Sequence, residues 1–413
     1  MSIPRRFLPL LVISAFIGIL IFFHRYSVRE SWRELPQAVG LGEHVSNAKS
    51  PHPSTTDDTN GSPVDAEHIT KPIYKPGSVK PPGSNYTRIL VVPRMSEEDV
   101  AWLSEELPDV PTAIYVADDP TAPLHPPKNK GHEVMIYLTY IIDHYAALAD
   151  ITVFMHSHRW SWHNDDLLDN DAVQMIRRLS SERVSRDGYM NLRCHWDPGC
   201  PDWMHPGALE EDAYKQEETV LATAWAELFP LDPIPRVLAQ PCCAQFALSK
   251  ERIQAIPLAT FVFYRDWLLR SPLSDYISGR VWEYIWQFVF TGENVFCPAQ
   301  HACYCDGFGV CFGGEAAYND FFEARFKQRE LQGELDEWEN KAKAIEDAKA
   351  EGRLEEVAGL EVPEPGREVY LRAQIDAYAN ELDARKRVAL ERGDDPRNRA
   401  EEAGRGWVEG DGF

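Results

Sequence analysis

Residues 129–159 read NKGHEVMIYLTYIIDHYAALADITVFMHSHR and lie at the centre of the predicted domain. Apolar side chains recur at helical spacing from residue 131 to residue 148, which predicts a helix with one wide buried face. Residues 150–155 form a short apolar run that predicts a buried strand. His156-Ser157-His158-Arg159 follows that strand, and the end of a strand is where α/β sheets usually bind ligands.

Short apolar runs at residues 89–92, 112–116 and 244–248 predict three further strands. Helices are predicted between and after them, at residues 96–106, 210–229, 249–256, 258–270 and 278–290. Strands that alternate with helices over this length indicate an α/β fold with an open, mainly parallel sheet. The globular domain is expected to span residues 88–314.

The composition limits the kind of protein and the kind of partner. The chain has 413 residues, of which 44% are hydrophobic, so it can form one core domain with non-globular flanks. Its 65 acidic and 42 basic residues give a net charge of −23. Binding to the phosphate backbone of nucleic acids relies on Lys and Arg. This balance therefore argues against nucleic acid as a partner.

Residues 7–23 are apolar and uncharged and follow Arg5 and Arg6. Seventeen residues is the short end of what spans a bilayer, about 17–25. The run ends in Phe22-Phe23-His24 rather than in the small residues of a signal-peptide cleavage site. We therefore expect a cytosolic tail and a transmembrane signal anchor in residues 1–26, with the membrane as a partner. The layout favours a single-pass type II protein whose body lies in the Golgi or ER lumen.

The two flanks of the domain differ in composition. Residues 27–87 are rich in Pro and Ser, which is typical of a disordered stem. Within this stem, Asn85-Tyr86-Thr87 matches the N-glycosylation pattern and predicts a glycan on Asn85. Residues 315–413 are dense in Glu, Lys, Arg and Ala, which favours a charged helical or partly disordered appendage.

All eight cysteines lie in the second half of the core, and an even number suggests a disulfide framework. They are Cys194, Cys200, Cys242, Cys243, Cys297, Cys303, Cys305 and Cys311. One plausible local bridge joins Cys194 to Cys200. The alternative is a zinc site built from Cys297, Cys303, Cys305 and Cys311, although their spacing differs from the usual paired C-x₂-C pattern.

Two glutamates are candidates for chemistry. Glu283 lies in an aromatic stretch, where burial would raise the pKa of its carboxyl group and suit it to act as a general base. A buried ion pair with Arg280 or Arg252 is the alternative interpretation. Glu133 lies in the first turn of its helix, where it either binds substrate or only favours the helix dipole.

His156 and His158 are two residues apart, so their side chains are expected to face one side and to hold a metal ion. Asp165, Asp166 or His163 in the following loop could complete this cluster, and Asp165 is expected to act in catalysis. The alternative is that the histidines only hydrogen-bond to neighbouring loops. Substrate binding is predicted for residues of the same region: Asn129, Lys130, Glu133, Arg159, Trp162, His163, Asn164 and Gln245.

Five motifs in order resemble an uncharacterised fungal family, the domain of unknown function 3431. They are NKGHE at residues 129–133, YLTYII at 137–142, FMHSHR at 154–159, WHND at 162–165 and CCAQFA at 242–247. The resemblance covers residues 88–312. The family carries no established activity, so the resemblance implies a family but no chemistry.

Three other stretches, at residues 91–103, 244–253 and 283–290, are more distantly similar to glycosyltransferases of the GT-A type. This similarity implies a Rossmann-like, GT-A-like sheet, a nucleotide-sugar donor and a divalent metal ion. His156-Ser157-His158 stands where those enzymes carry an acidic D-x-D motif. We therefore expect a lumenal glycosyltransferase-like enzyme. The alternatives are a non-catalytic domain that binds glycans or proteins, and a metal-dependent hydrolase that uses His156 and His158.

Overall fold

The structure is a computed structural model that describes residues 72–210, 212–357 and 359–413. The predicted anchor at residues 7–23 and most of the predicted stem lie outside the described residues. Across the described part of the chain, no helix is both long and apolar enough to cross a bilayer. This finding contradicts the prediction that the membrane is a partner.

A five-stranded sheet forms the centre of the fold, with the strand order β2-β1-β3-β5-β4. The strands are β1 (Arg88–Arg94), β2 (Thr112–Val116), β3 (Ile151–Phe154), β4 (Tyr189–Asn191) and β5 (Phe246–Ser249). Four of them lie where short apolar runs predicted them. Sequence reasoning missed β4, because three residues are too few to show a pattern.

The sheet is mixed, which corrects the expectation of a mainly parallel one. β1 pairs in parallel with β2 and β3, whereas β5 pairs antiparallel with both β3 and β4. The Leu192 amide, just after β4, donates to the carbonyl of Gln245, just before β5, at 2.9 Å. β4 therefore ends at the end of the sheet where β5 begins. β5 starts at that end of the sheet and runs antiparallel to β3. The α/β class is confirmed.

Helices cover both faces of the sheet. In chain order they are α1 (Ala101–Glu106), α2 (Glu133–His144), α3 (Ala172–Arg178), α4 (Ser181–Asp187), α5 (Glu218–Leu228), α6 (Lys250–Gln254), α7 (Leu258–Arg270), α8 (Asp275–Glu283), α9 (Trp286–Thr291), α10 (Gln300–Phe308), α11 (Glu315–Ala350), α12 (Leu354–Val357), α13 (Arg367–Gly393) and α14 (Pro396–Glu402). Side chains alternate along β1, so Val91 enters one core while Leu90 and Val92 enter the other. Helices α2, α5 and α7–α9 pack in the first core, and helices α1, α3, α4 and α10 pack in the second.

Several helix boundaries differ from the prediction for local reasons. The helix predicted at 278–290 is two helices, α8 and α9, because the chain turns at Tyr284 and Ile285. This turn buries the rings of Trp282 and Trp286 side by side, with centroids 4.8 Å apart. The predicted cap of α6 is confirmed, since the Ser249 side chain accepts from the Arg252 amide.

The C-terminal charged helices pack on each other and on the second core. Tyr318 and Phe321 of α11 and Leu382 of α13 are buried there. Ion pairs fasten the same helices to the loop before α3, with Arg325 2.8 Å from Asp166 and Lys386 2.7 Å from Asp169. The residues predicted as a charged appendage thus lie against the domain.

Residues 72–87, the described end of the predicted stem, run along the domain surface. The Gly77 amide donates to the Arg186 carbonyl at 2.7 Å, and the Lys80 ammonium lies 2.8 Å from the Asp150 carboxylate. Asn85 is exposed in the loop before β1, so its glycosylation stays a prediction that the geometry permits.

Gly393→Ala should weaken the docking of α13. A Cβ atom at residue 393 would lie 2.0 Å from the carbonyl oxygen of Gly309 at the end of α10, and backbone at that distance must move. Overpacking of this kind typically costs about 1–3 kcal/mol. We expect a lower melting temperature and faster proteolysis of residues 315–413.

Gly333→Ala is the matched control for this prediction. Gly333 lies within α11, and nothing lies within 4 Å of the position of an added Cβ. Replacing a helical glycine at such a site should be neutral or stabilising by about 0.5–1 kcal/mol. Equal behaviour of the two variants would contradict the importance of the Gly309–Gly393 contact.

Candidate functional site

Several loops meet at one edge of the sheet. β3 ends at Phe154, β5 begins at Phe246 directly beside it, and β4 ends at Asn191 on the other side of β5. The loop after β3 and the segment before β5 are therefore neighbours. We call this region the carboxyl edge, and its central residues are Glu133, His156, His163, Gln245, Glu283 and the Cys242–Cys243 disulfide.

Gln245 holds the two loops together. Its side-chain oxygen accepts from the His156 amide at 3.0 Å, and its side-chain nitrogen donates to the His163 carbonyl and to the Asn164 side chain, each at 3.2 Å. Asn164 donates in turn to two backbone carbonyls and is buried. Both amides hydrogen-bond within the protein, and their role in substrate binding stays a prediction.

His156 contacts His163 rather than His158. The Nδ1 atoms of His156 and His163 are 3.3 Å apart, so one ring donates and the other accepts. Burial, followed by the neighbouring histidines, lowers the pKa of His156 to about 3, which keeps its ring neutral. His158 is exposed and lies 3.4 Å from Glu98.

The structure therefore does not bring His156 and His158 together as the predicted metal pair. Each histidine has a different partner, because the strand ends at Phe154 and the alternation on which the prediction relied stops there. Among the described residues, the side-chain groups close enough to hold an ion include neither histidine. A catalytic metal site of this composition has no support in the structure.

Glu283, the last residue of α8, reaches the segment before β5. Its Oε1 accepts from the Cys243 amide at 2.8 Å. Burial raises the pKa of its carboxyl group, whereas the Cys243 amide and the Arg280 charge lower it. The Arg280 guanidinium is bonded instead to Glu217, at 2.7 and 2.9 Å, and Arg252 donates to backbone carbonyls. Neither Arg280 nor Arg252 therefore forms the ion pair with Glu283 that the alternative interpretation predicted.

Glu283 is close enough to Glu133 for its negative charge to raise the pKa of Glu133, and a glycine in α8 lets that helix lie against the residues before α2. A Cβ atom at residue 279 would lie 2.5 Å from the His132 ring and 3.2 Å from the backbone carbon of Gly131, so only glycine permits this close packing. Glu283 follows four residues later on the same face of α8. Gly279 thus brings α8 against residues 131–132, directly before α2, which begins at Glu133.

The two carboxyl groups differ in their surroundings. Burial raises the pKa of Glu133 to about 8, and the negative charges of Glu283 and Asp275 add to this effect. Glu283 has an amide donor, which favours its ionised form. Both residues keep partial solvent exposure. At neutral pH, Glu133 with its pKa of about 8 holds a proton, and the Cys243 amide offsets part of the rise that burial causes in the pKa of Glu283.

Tyr137 is a site residue that sequence reasoning assigned only to the helix core. Its buried hydroxyl has no hydrogen-bond partner within the described residues, and its pKa is raised by burial and by Glu133. An unpaired buried hydroxyl is costly, so a ligand or a water that pairs with it would be favoured. The spacing of four residues from Glu133 is the signal that could have revealed it.

Four disulfides are present: Cys194–Cys303, Cys200–Cys297, Cys242–Cys243 and Cys305–Cys311. Disulfide bonding is confirmed, but the local bridge from Cys194 to Cys200 is wrong. The four-cysteine zinc site is also wrong, because two of its members pair with cysteines outside the set. Long-range partners were invisible in the sequence spacing.

Asp165 has a structural role and is not one of the residues of the carboxyl edge. It is fully buried and accepts from the Cys194 amide at 2.8 Å and from the Tyr304 hydroxyl at 2.6 Å. Burial raises its pKa to about 6. Because protein groups surround the carboxylate, its predicted catalytic role is corrected to that of a structural hydrogen-bond acceptor.

The other predicted binding residues divide into two groups. Arg159 is tied to Glu106 at 2.9 Å and to Asp171 at 3.2 Å, and the Lys130 ammonium is bonded to the Ser271 carbonyl. These two are corrected to structural roles. Asn129 and Trp162 are exposed, so they remain available to a ligand.

A separate cavity of about 390 Å³ lies among α5, α7 and α9, with Phe229, Tyr264 and Phe288 in its wall. Its lining is mainly apolar, which suits binding but offers little for acid–base chemistry. The candidate chemistry is therefore assigned to the carboxyl edge.

Glu133→Gln should change how stability depends on pH. The carboxyl group has a pKa of about 8 in the folded chain and about 4.3 when unfolded. The stability that its protonated form contributes is thus complete below about pH 4 and is lost as the pH rises through about 8. Gln does not titrate, so the variant should melt near the wild-type temperature at about pH 5 and above it at about pH 9.

Thermal unfolding followed by circular dichroism across this pH range tests the prediction. Each kcal/mol should correspond to a shift of about 2–4 °C for a domain of this size. Glu293→Gln, which changes an exposed glutamate, is the control and should follow the wild type. Parallel pH curves for wild type and Glu133→Gln would show that Glu133 is not desolvated.

Comparison with known proteins gives one match. A family model described as "Protein of unknown function (DUF3431)" matches residues 90–306, which is more than half of the chain. No curated protein matches. No solved structure matches either, so the distant similarity to GT-A glycosyltransferases gains no support from known structures.

Proposed function

Because this chain belongs to the DUF3431 family, whose description assigns no activity, we propose a function from the geometry of the carboxyl edge: acid–base chemistry on a glycosidic bond. In this proposal Glu283 is the base and Glu133 is the acid. The glycosyl group passes to an acceptor hydroxyl that Glu283 deprotonates, while Glu133 protonates the departing oxygen.

The observation that carries this proposal is the pair of neighbouring carboxyl groups with different proton affinities. The pKa of Glu133 is raised to about 8, so it holds a proton at neutral pH. The Cys243 amide at 2.8 Å favours the anion of Glu283. Carboxyl pairs whose surroundings separate their pKa values commonly divide the roles of acid and base, and enzymes that act on glycosidic bonds use such pairs.

Exposed aromatic side chains support a sugar as the ligand. Trp160 and Trp162 are 60% and 61% exposed, which is unusual for tryptophan. The ring of Trp162 lies 4.2 Å from that of His163, which in turn contacts His156 at the carboxyl edge. Flat apolar rings of this kind can pack against the C–H faces of a sugar, and exposed apolar groups often mark ligand-binding grooves.

The charges favour a neutral donor over a nucleotide sugar. A diphosphate leaving group needs cations, yet the Lys130 ammonium and the Arg94 guanidinium are bonded to backbone carbonyls. The net charge of −23 also disfavours polyanionic substrates. A donor whose leaving oxygen is protonated by Glu133 fits these surroundings better. The four disulfides support an oxidising compartment, in line with the expected lumenal location.

The proposal can be tested with a panel of labelled neutral oligosaccharides and, in parallel, nucleotide sugars with and without manganese. Products are identified by mass spectrometry. We expect new or shortened oligosaccharides from the neutral donors without added metal. Manganese-dependent products from nucleotide sugars alone would overturn the assigned role of Glu133. Binding of oligosaccharides without any product would favour the alternative of a non-catalytic glycan-binding domain.

A further inference from the structure

A second group of polar side chains lies where α10 meets α14, remote in sequence from the carboxyl edge. His301 and Cys305 are four residues apart on α10 and so share one face. Cys311 follows in the next loop, and Glu402 is the last residue of α14. Two helices and one loop from the second half of the chain thus supply four side chains to one corner.

The atoms of this corner are close together. The sulfur atoms of Cys305 and Cys311 and a carboxylate oxygen of Glu402 all lie within 4.8 Å of one another. Nδ1 of His301 lies 3.8 Å from Oε1 of Glu402. A tetrahedral ion with ligands at about 2.0–2.3 Å holds them about 3.3–3.8 Å apart, so the two sulfur atoms, which are bonded to each other here, must separate before an ion can bind.

Two of these atoms lack hydrogen bonds. Neither Nδ1 of His301 nor Oε1 of Glu402 has a hydrogen-bond partner among the described residues, and both atoms are buried. The Glu402 side chain is only 2% exposed, and its other oxygen accepts from the Gly313 amide at 2.8 Å. Buried polar atoms nearly always have partners. A cation bound between them would satisfy both.

We propose that reduction of the Cys305–Cys311 disulfide converts this corner into a Zn²⁺ site with two thiolates, one imidazole and one carboxylate. A dithiol reductant attacks one sulfur of the disulfide, leaves as its own disulfide and produces two cysteine thiols. Zn²⁺ then displaces the two thiol protons into solvent and binds both thiolates. The Glu402 carboxylate is the third ligand, and the His301 ring, whose Nδ1 lies 3.8 Å from Oε1 of Glu402, turns toward the ion as the fourth.

The combination of ligands favours zinc over harder cations. Two thiolates and an imidazole select Zn²⁺, whereas Mg²⁺ and Ca²⁺ prefer oxygen ligands. The bound ion would join α10 to α14 after the covalent bridge between α10 and the following loop has opened. The corner would thus be held together in both redox states, by the disulfide in the oxidised state and by Zn²⁺ in the reduced state.

The chain also contains a competing group, Cys242 and Cys243 with Glu283. Each group supplies three ligand atoms that lie within 4.8 Å of one another, and the α10–α14 corner has in addition Nδ1 of His301, 3.8 Å from Oε1 of Glu402. The experiment must therefore identify which cysteines bind the ion, and a binding stoichiometry alone is not enough.

The full chain is treated with increasing concentrations of a dithiol, with and without Zn²⁺, and free thiols are alkylated and mapped by mass spectrometry. We expect Zn²⁺ to protect Cys305 and Cys311 from alkylation, with one ion bound per protected pair. Protection confined to Cys242 and Cys243, or no protection of any pair, would overturn the proposal. Loss of the folded circular dichroism spectrum before Cys305 and Cys311 are reduced would also overturn it, because the site requires folded α10 and α14.

Substitution of the carboxylate provides a second measurement. Glu402→Gln should weaken Zn²⁺ binding to the reduced chain by at least about 10–100-fold. Glu401→Gln is the matched control, since Glu401 is exposed and pairs only with Arg397 in the same helix. Equal zinc affinity in the two variants would refute the site. If Glu402→Gln does not fold, the alkylation map of the unaltered chain decides the matter.

Discussion

Glu283→Gln should lower the rate of glycosyl transfer by about 10²–10⁴-fold, the usual contribution of a general base. Gln has almost the same shape as Glu and keeps an oxygen that can accept from the Cys243 amide. The substitution therefore removes the proton acceptor while it preserves the hydrogen bond between α8 and the segment before β5. Product formation by wild type and variant is measured under the conditions in which the wild type is active.

The pH profile of the wild type should have two limbs that belong to the carboxyl pair. Activity should rise at acidic pH as Glu283 ionises, and it should fall as Glu133 loses its proton near its pKa of about 8. In Glu283→Gln the acidic limb should disappear, because no group at this position can ionise. A merely structural role for Glu283 would leave the shape of the profile unchanged.

Glu293→Gln serves as the control for both measurements, because Glu293 is exposed and lies outside the carboxyl edge. Circular dichroism must show that Glu283→Gln is folded and melts near the wild-type temperature. Full activity in a folded Glu283→Gln protein would sink the assignment of the base. Loss of folding would indicate that the carboxylate is needed for the packing of α8.

Replacing both Cys194 and Cys303 by Ser should cost about 4–5 kcal/mol of unfolding free energy. This disulfide joins cysteines 109 residues apart and connects the segment after β4 to α10. In the chain-entropy description, a bridge that closes a long loop removes more freedom from the unfolded chain than one that closes a short loop. The unfolding free energy is measured by denaturant titration at fixed pH.

The Cys305–Cys311 bridge provides the internal comparison, since its cysteines are six residues apart. Replacing this pair by Ser should cost about 2 kcal/mol by the same reasoning. The long-range pair should therefore be the more costly to remove. Equal losses for the two double variants would show that local packing, and not the length of the closed loop, governs the contribution of these disulfides.

Much of the fold was predictable because the forces that form its elements act locally. The runs at residues 89–92 and 112–116 became β1 and β2, and Ser249 caps α6 as predicted. Apolar spacing, turn residues and capping side chains depend on neighbours within a few positions of the chain, so they can be read from the sequence. The family itself was also identified from motifs that stand in a fixed order.

The candidate site was only partly predictable. Glu283 was selected for its aromatic surroundings, and Glu133 for its place at the start of a helix, yet nothing in the sequence showed that the two meet. Their meeting depends on Gly279, which lets α8 lie against residues 131–132. Asp165 is a residue type suited to catalysis, but its carboxylate accepts hydrogen bonds from the Cys194 amide and the Tyr304 hydroxyl.

The sequence by itself determined four of the five strands of the sheet, most helices, the acidic charge and the presence of a disulfide framework, because each follows from local pattern or composition. Tertiary structure alone decided the direction of β5, the partners of Cys194 and Cys200, and the pairing of Glu133 with Glu283. These features join residues that are far apart in the chain. They depend on how elements pack, and packing depends on the shapes and contacts of many side chains at once.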